Sequence, residues 1–405
     1  MQSNRRIYLD NAATSWPKPE AVYQAVDHYQ RHVGAAVGRS AYREAVQLGE
    51  GVEFTRRAIA LLMGVSDAQR MIFTFNATDS LNLALHGVLR DGNHVVTTTL
   101  EHNSVLRPLR WLAERKGIHI TYVRPDETGV IRPGEIRAAL RPETTLVVMT
   151  HASNVTGAIQ PIAEVGDIAR AHGALMLVDA AQTAGHLPMD LGQLPVDLLA
   201  ASCHKGLLGP LGTGVLYVAP SVEDRLESVR QGGTGSRSEE DRQPNGLPDK
   251  YESGNHNALG LVGLRAGIEF LAARGIASIR AHEISLIERF LAGIDGLGAL
   301  DLFGPRDETR QVGVISLNVQ GYEPQELAAL LESHFGIQVR SGIHCAPLAH
   351  RSLGTLDSGG TVRFSFGPFT SADDVDAATG ALRELNEAAS ATHGKTADGK
   401  RPLVS

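Results

Sequence analysis

Between about residues 70 and 220 the chain alternates short β-rich runs with longer helical patterns, and this alternation restricts the fold more than any other feature. The runs are Met71 to Phe75, His94 to Thr98, Ile118 to Val123, Thr145 to Thr150, Ala174 to Asp179, Asp197 to Ser202 and Thr213 to Val218. Helical patterns over Thr78 to Leu89, Ser104 to Lys116 and Ile162 to His172 separate several of them. Strand, crossover helix and strand in succession predict an α/β fold with a mostly parallel, seven-stranded sheet and helices on its faces. Further helical runs near Asn257 to Arg274 and Ala281 to Leu297, with strands near Val312 to Asn318 and Thr361 to Phe366, predict a smaller α+β unit. The polar, Gly-rich stretch Gln231 to Lys250 reads as a surface loop. Ala389 to Ser405 reads as a disordered tail.

Composition excludes several functions. Apolar residues form 42% of the 405 and charged residues 20%, enough for a large packed core. The 38 Lys and Arg against 45 Asp and Glu leave a formal charge of −7, the wrong sign for generic binding of a phosphate backbone, so nucleic acid is not an expected partner. No stretch approaches the roughly 18 apolar residues of a membrane span, and the N-terminal segment shows no export signal, so no membrane association is expected. With two cysteines only, Cys203 and Cys345, a disulfide framework is not expected. A reducing, cytoplasmic setting follows as the expectation.

In open α/β sheets ligands bind beyond the carboxyl ends of the strands. Two residues there stand out: Asp179 in Val178-Asp179-Ala180-Ala181-Gln182, and Lys205 in Ser202-Cys203-His204-Lys205-Gly206. Singly, each is better explained without a ligand, as an Asp at a strand terminus and a solvated Lys. Together they suit pyridoxal phosphate, with the amine holding the aldehyde covalently and the carboxylate keeping the pyridine nitrogen protonated. Phe75-Asn76-Ala77-Thr78-Asp79-Ser80 leads from a strand into a helix, a phosphate-binding geometry or ordinary capping by Asn76 or Thr78. His102, in Glu101-His102-Asn103, is an imidazole at the same height, able to stack on a ring or trade protons.

Other patterns carry less. Gly212-Thr213-Gly214 precedes a strand, so it is not a dinucleotide fingerprint. His28 and His32 lack a third ligand, and His344, Cys345 and His350 lack a fourth, so no metal is expected.

These segments resemble, in order, the class V aminotransferase-fold cysteine desulfurases. The resemblance is carried by Tyr8-Leu9-Asp10-Asn11-Ala12-Ala13-Thr14, the Thr78 helix start, Glu101-His102-Asn103 and Ser153-Asn154-Val155-Thr156-Gly157. It continues through Val178 to Gln182, Cys203-His204-Lys205, Tyr251-Glu252-Ser253-Gly254 and Arg340-Ser341-Gly342-Ile343-His344-Cys345-Ala346. It spans about residues 7 to 385. The His-Cys-Ala context is most similar to the branch that includes selenocysteine lyases.

The resemblance implies a fold type I enzyme using pyridoxal 5'-phosphate. Residues 15–265 would form the large domain, 1–14 with 266–388 the small one, and 389–405 the tail. Lys205 would hold the cofactor, Asp179 pair with its ring nitrogen, Gln182 bond its ring hydroxyl and His102 stack on the ring. Thr78, Ser202 and His204 would bind phosphate. Asn154 and Arg363 would take the substrate carboxylate, and Arg340 would position the cysteine loop. Cys345 would receive sulfur from L-cysteine, or selenium from selenocysteine, leaving alanine and passing the sulfur to an acceptor protein. Many relatives carry a Thr after Glu-Ser-Gly that binds phosphate across a homodimer interface, whereas this chain has Asn255, whose amide is also a donor. Cys203 reads as a small buried filler. The alternatives are a cysteine or cystine lyase or another class V reaction in which Cys345 is incidental, and a non-catalytic scaffold that keeps the pocket.

Overall fold

The computed structural model of the chain describes residues 6–38, 41–237 and 239–397. Thirteen strands are formed among them: β1 Ile7–Tyr8, β2 Met71–Thr74, β3 His94–Thr98, β4 His119–Val123, β5 Thr144–Thr150, β6 Leu175–Asp179, β7 Leu198–Ser202, β8 Gly214–Val218, β9 Leu300–Phe303, β10 Val314–Val319, β11 Ile337–Gln338, β12 Arg340–Gly342 and β13 Thr361–Ser365. The seven strands expected between residues 70 and 220 are β2 to β8, and they make one sheet in the order β2-β8-β7-β6-β5-β3-β4. Pairs within β3 to β7 are parallel, while β8 runs antiparallel to both β7 and β2. The reason lies in the connections. Crossover helices Asn103–Lys116 and Ile162–His172 return the chain to the same end of the sheet, whereas no helix separates β7 from β8.

The central strands β5 to β8 are almost wholly buried, as expected for a sheet covered on both faces. Their apolar side chains belong to one continuous core with those of the covering helices. Helix starts follow local chemistry: the Asn76 side chain accepts from the Asp79 amide at 2.9 Å and starts helix Ala77–Val88, and Asn257 does the same for Ala258–Arg274.

A second, antiparallel sheet, β12-β13-β10-β9, has its own apolar cluster, in which the Phe290 ring lies 5.1 Å from that of Phe364 and 5.7 Å from that of Phe366. The helix expected from Ala281 starts earlier, at Ile276 directly after Gly275, whose φ of 79° ends the preceding helix. Gln231 to Lys250 forms no helix or strand among its described residues, as expected.

The expected tail requires correction. Helix Ala372–Ala397 continues past Ala389, and it is anchored up to that residue by the buried stripe Val375, Ala378, Leu382, Leu385 and Ala389 at helical spacing. Residues 398–405 lie outside the described ones. No helix among the described residues is long and apolar enough to cross a membrane.

Residues 7–18 join the two sheets. β1 pairs in parallel with β11, and Asp10 bridges to Ser365. The Ser15 amide and hydroxyl and the Lys18 ammonium then donate to the carbonyl of His204, the Lys18 bond being 2.7 Å.

Candidate active site

Parallel register brings the carboxyl ends of β5, β6 and β7 to one level: Thr150 pairs with Asp179, and Asp179 with Ala200, two residues before Ser202. Above that level lies a cavity of about 310 Å³. Its walls include Thr78, His102, Asn154, Asp179, Gln182, Ser202, His204, Lys205, Arg340 and Arg363. Ten of the twelve residues singled out from the sequence therefore converge on one space.

Lys205 follows β7 by three residues in a turn held by Cys203 N–H to Thr213 O at 2.9 Å and Gly209 N–H to Cys203 O at 2.8 Å. Burial, with Arg363 and Arg340 nearby, pushes its amine down to about 8, against the pull of Asp179. Asp179 moves the opposite way: burial raises its carboxyl, opposed by the Ala181 amide and the Lys205 charge. One Asp179 oxygen accepts from Ala181 N–H at 2.9 Å. Buried Glu101 sits nearby and is pushed up to about 8 by burial, although Thr98 Oγ1 and the Thr150 amide both donate to its Oε1.

The wall made by helix Ala77–Val88 suits an anion, because a helix N-terminus presents amide donors and positive potential. Ser202 Oγ accepts from the Ala77 amide at 3.1 Å, and Thr78 Oγ1 lies 2.7 Å from Ser104 Oγ. His204 adds a buried Nδ1 without a partner.

His102 caps the next helix. Its Nδ1 accepts from the Ser104 amide at 3.0 Å, so that nitrogen carries no proton and the neutral ring bears its hydrogen on Nε2. Burial and the nearby cations, Lys205 first among them, push the imidazole down to about 4. Gln182 Nε2 donates to Ala12 O at 3.2 Å and still lines the cavity.

The other end of the cavity is cationic. Arg363 is 1% exposed; its Nη1 donates to Asn154 O at 3.0 Å and its Nη2 to Asp10 Oδ1 at 2.8 Å, while Nε has no partner. Part of the guanidinium fork is thus engaged by the protein, and donors remain for a carboxylate. Arg340 Nη2 lies 3.7 Å from Cys345 Sγ.

Cys345 is exposed, one residue after the cavity-lining His344. Asn255 is not brought into the cavity of its own chain; it is exposed elsewhere. Cys203 is fully buried, and burial raises its thiol. His344 Nε2 faces Thr361 O and Oγ1 at 3.1 Å and His350 Nδ1 faces Thr355 Oγ1 at 2.8 Å, while the other ring nitrogen of each is buried without a partner. Asn76, expected only as a possible cap, also lines the cavity, as do Ser104 and the Ala12-Ala13 pair, to which the sequence reading gives no role. The quoted N-terminal motif was the one available signal for the last pair.

A mostly parallel sheet with an aspartate and a lysine buried at or just beyond its strand ends, closed by a second sheet that supplies arginines, defines an enzyme of the aminotransferase type. The chain belongs to the class V aminotransferase family, whose model matches residues 7–378. Relatives include a probable cysteine desulfurase of Methanothermobacter thermautotrophicus, 35% identical over 94% of each chain, and one of Pyrococcus abyssi, 36% identical over 94% of each. Among solved structures, the apo cysteine desulfurase of Thermococcus onnurineus superposes with a TM-score of 0.87 at 35% identity, covering 95% of both chains. The cysteine desulfurase CsdA (S-sulfonic acid) from Escherichia coli does so with 0.84 at 28%, again over 95% of both.

Proposed function

We propose that this protein is a pyridoxal-phosphate-dependent cysteine desulfurase that converts L-cysteine to L-alanine and takes the sulfur onto Cys345 as a persulfide. The observation that carries the reading is an exposed thiol, Cys345, on the residue next to the wall of a cavity that contains a buried lysine and a buried carboxylate. The names of the relatives and of the solved neighbours support it.

The cavity fits the cofactor. The unpartnered His204 Nδ1 and the Ala77 helix start suit its phosphate, and the Lys205 amine, pushed down to about 8, suits its aldehyde. Thr78, Ser202 and His204 would hold the phosphate, Asp179 the ring nitrogen, Gln182 the ring hydroxyl and His102 the ring face. When bound, pyridoxal phosphate supplies a sink for the electrons released at the substrate carbon. Lys205 holds it and then moves protons at its Nζ. His102, neutral with its proton on Nε2, serves as a second proton carrier. Arg363 and Asn154 orient the substrate carboxylate, and Arg340, with Nη2 beside Cys345 Sγ, positions the cysteine loop whose sulfur attacks the substrate sulfur.

Wider features of the reading have their own support. Two separate apolar clusters support a division into a large unit, 15–265, and a small unit, 1–14 with 266–388. An apolar groove between helices, with Tyr29, Leu48 and Leu261 in its wall, and an exposed Asn255 outside the wall of its own chain's cavity support a homodimer. Exposure of Cys345 supports delivery of sulfur to an acceptor protein, and two unpaired thiols support a reducing, cytoplasmic setting. Replacing Cys345 by Ala tests the chemistry: unchanged alanine and sulfide output excludes the persulfide route.

A further inference from the structure

The segment bearing Cys345 has an unusual backbone. His344 and Cys345 both take the left-handed conformation, with φ of 51° and 59°, although neither is glycine. Such conformations persist only where surrounding contacts hold them. Three groups do so. Asn154 Nδ2 donates to His344 O at 2.7 Å, the Asn103 amide donates to Cys345 O at 2.7 Å, and His344 Nε2 meets Thr361 O and Oγ1. The turn itself is closed by Ala346 N–H to Ile343 O at 2.9 Å.

Asn154 differs from the other two in what lies behind it. It is buried, it lines the cavity, and its own carboxamide-bearing residue is fixed by Arg363 Nη1 donating to its backbone carbonyl at 3.0 Å. A continuous path of two hydrogen bonds therefore runs from the cavity guanidinium, through Asn154, to the backbone immediately before the thiol. The carboxamide nitrogen has two hydrogens. One is committed to His344 O, and the second is left for a ligand in the cavity.

We propose that Asn154 is a positioning residue for Cys345: its amide holds the left-handed His344-Cys345 turn and so sets where the sulfur nucleophile stands, while its second N–H meets the substrate carboxylate. The inference rests on the desulfurase reading for its meaning, but the clamp itself needs no cofactor. Without the amide, the pair relaxes towards negative φ and the thiol moves away from its station. A carboxylate in place of the amide has no donor for His344 O, so Asp at this position opens the turn without changing side-chain volume.

The test uses the full-length holoenzyme, with Asn154→Ala, Asn154→Asp and Thr361→Val as variants. Iodoacetamide, in the absence of any amino acid, reports Cys345, since Cys203 is fully buried. Peptide mass identifies the alkylated site, and circular dichroism confirms the fold of each variant. In both Asn154 variants the alkylation rate of Cys345 rises several-fold, and single-turnover persulfide formation falls by on the order of 10- to 100-fold, the scale of a misplacement near 1 Å. Thr361→Val, which loosens the same turn from a residue outside the cavity wall, raises alkylation without weakening L-alanine binding followed by cofactor absorbance. An Asn154 that serves the carboxylate alone leaves alkylation at the wild-type rate while KM rises, and that result overturns the proposal. Alkylation needs no turnover, so an enzyme inactive on cysteine with the alkylation contrast intact would count against the desulfurase reading and leave the clamp standing.

Discussion

The carboxylate of Asp10 and the guanidinium of Arg363, 353 residues apart in the chain, meet at 2.8 Å. The pair joins the N-terminal segment to the middle of β13 and aims a cation at the cavity. Arg363 is almost completely buried, while Asp10 keeps some solvent contact. Removing the carboxylate leaves an uncompensated buried charge. Asp10→Ala is expected to lower stability by about 3 kcal/mol, at the low end for a broken buried pair, read from urea midpoints. Asp10→Asn, which keeps an acceptor, should lose distinctly less.

Arg363→Lys keeps the charge and loses the planar fork. Hydrogen bonds to charged groups contribute about 2 kcal/mol each, so kcat/KM for L-cysteine should fall roughly thirtyfold for one lost bond. Steady-state kinetics check this, and an unaltered cofactor spectrum shows that the loss lies in substrate binding.

Lys205 carries a pH signature. Its folded amine is pushed down to about 8 from 10.5, chiefly by burial. Below pH 8 both folded and unfolded chains hold the proton, and the folded one bears the penalty of a buried ammonium. Between 8 and 10.5 the unfolded chain binds more protons, so stability rises with pH across this window. Lys205→Met is therefore expected to stabilise the cofactor-free protein at pH 7, and the advantage should shrink as pH rises from 8 to 10.5. Thermal midpoints of the two proteins across that range provide the comparison.

The two cysteines should part company. Cys345→Ala is expected to abolish persulfide formation and retain bound cofactor. Cys203→Ala should lose about 1 kcal/mol of stability, a usual value for a small core truncation, with turnover retained. Parallel assays of alanine release and urea unfolding separate the effects.

Much of this site could be read from residues at strand ends. Asp179 and Ser202 close β-rich runs, Lys205 follows the second by three residues, and parallel strands necessarily bring such ends to one edge. What escaped was long-range. Nothing local in Ser15 or Lys18 signals that both grip the carbonyl of His204, and Lys18 is pushed down to about 7 by the burial that follows. Ser104 borders the cavity because the His102 cap turns it inward, a consequence of helix phase that residue identity does not disclose. The sequence marks His344 as motif context and a metal-ligand candidate, and does not disclose that it forms part of the wall and of the bend that presents Cys345. The last helix extends into the expected tail through Ala389, whose single small side chain carries a weak apolar signal in the sequence although it joins the small unit's core.

The most direct test of the central claim is the mass of the Cys345 peptide after a single turnover of L-cysteine by the holoenzyme, with alanine measured in the same sample. The account predicts alanine in step with bound cofactor and a Cys345 peptide heavier by one sulfur atom, absent from the Lys205→Ala protein. An unmodified Cys345 peptide beside full alanine production would contradict it.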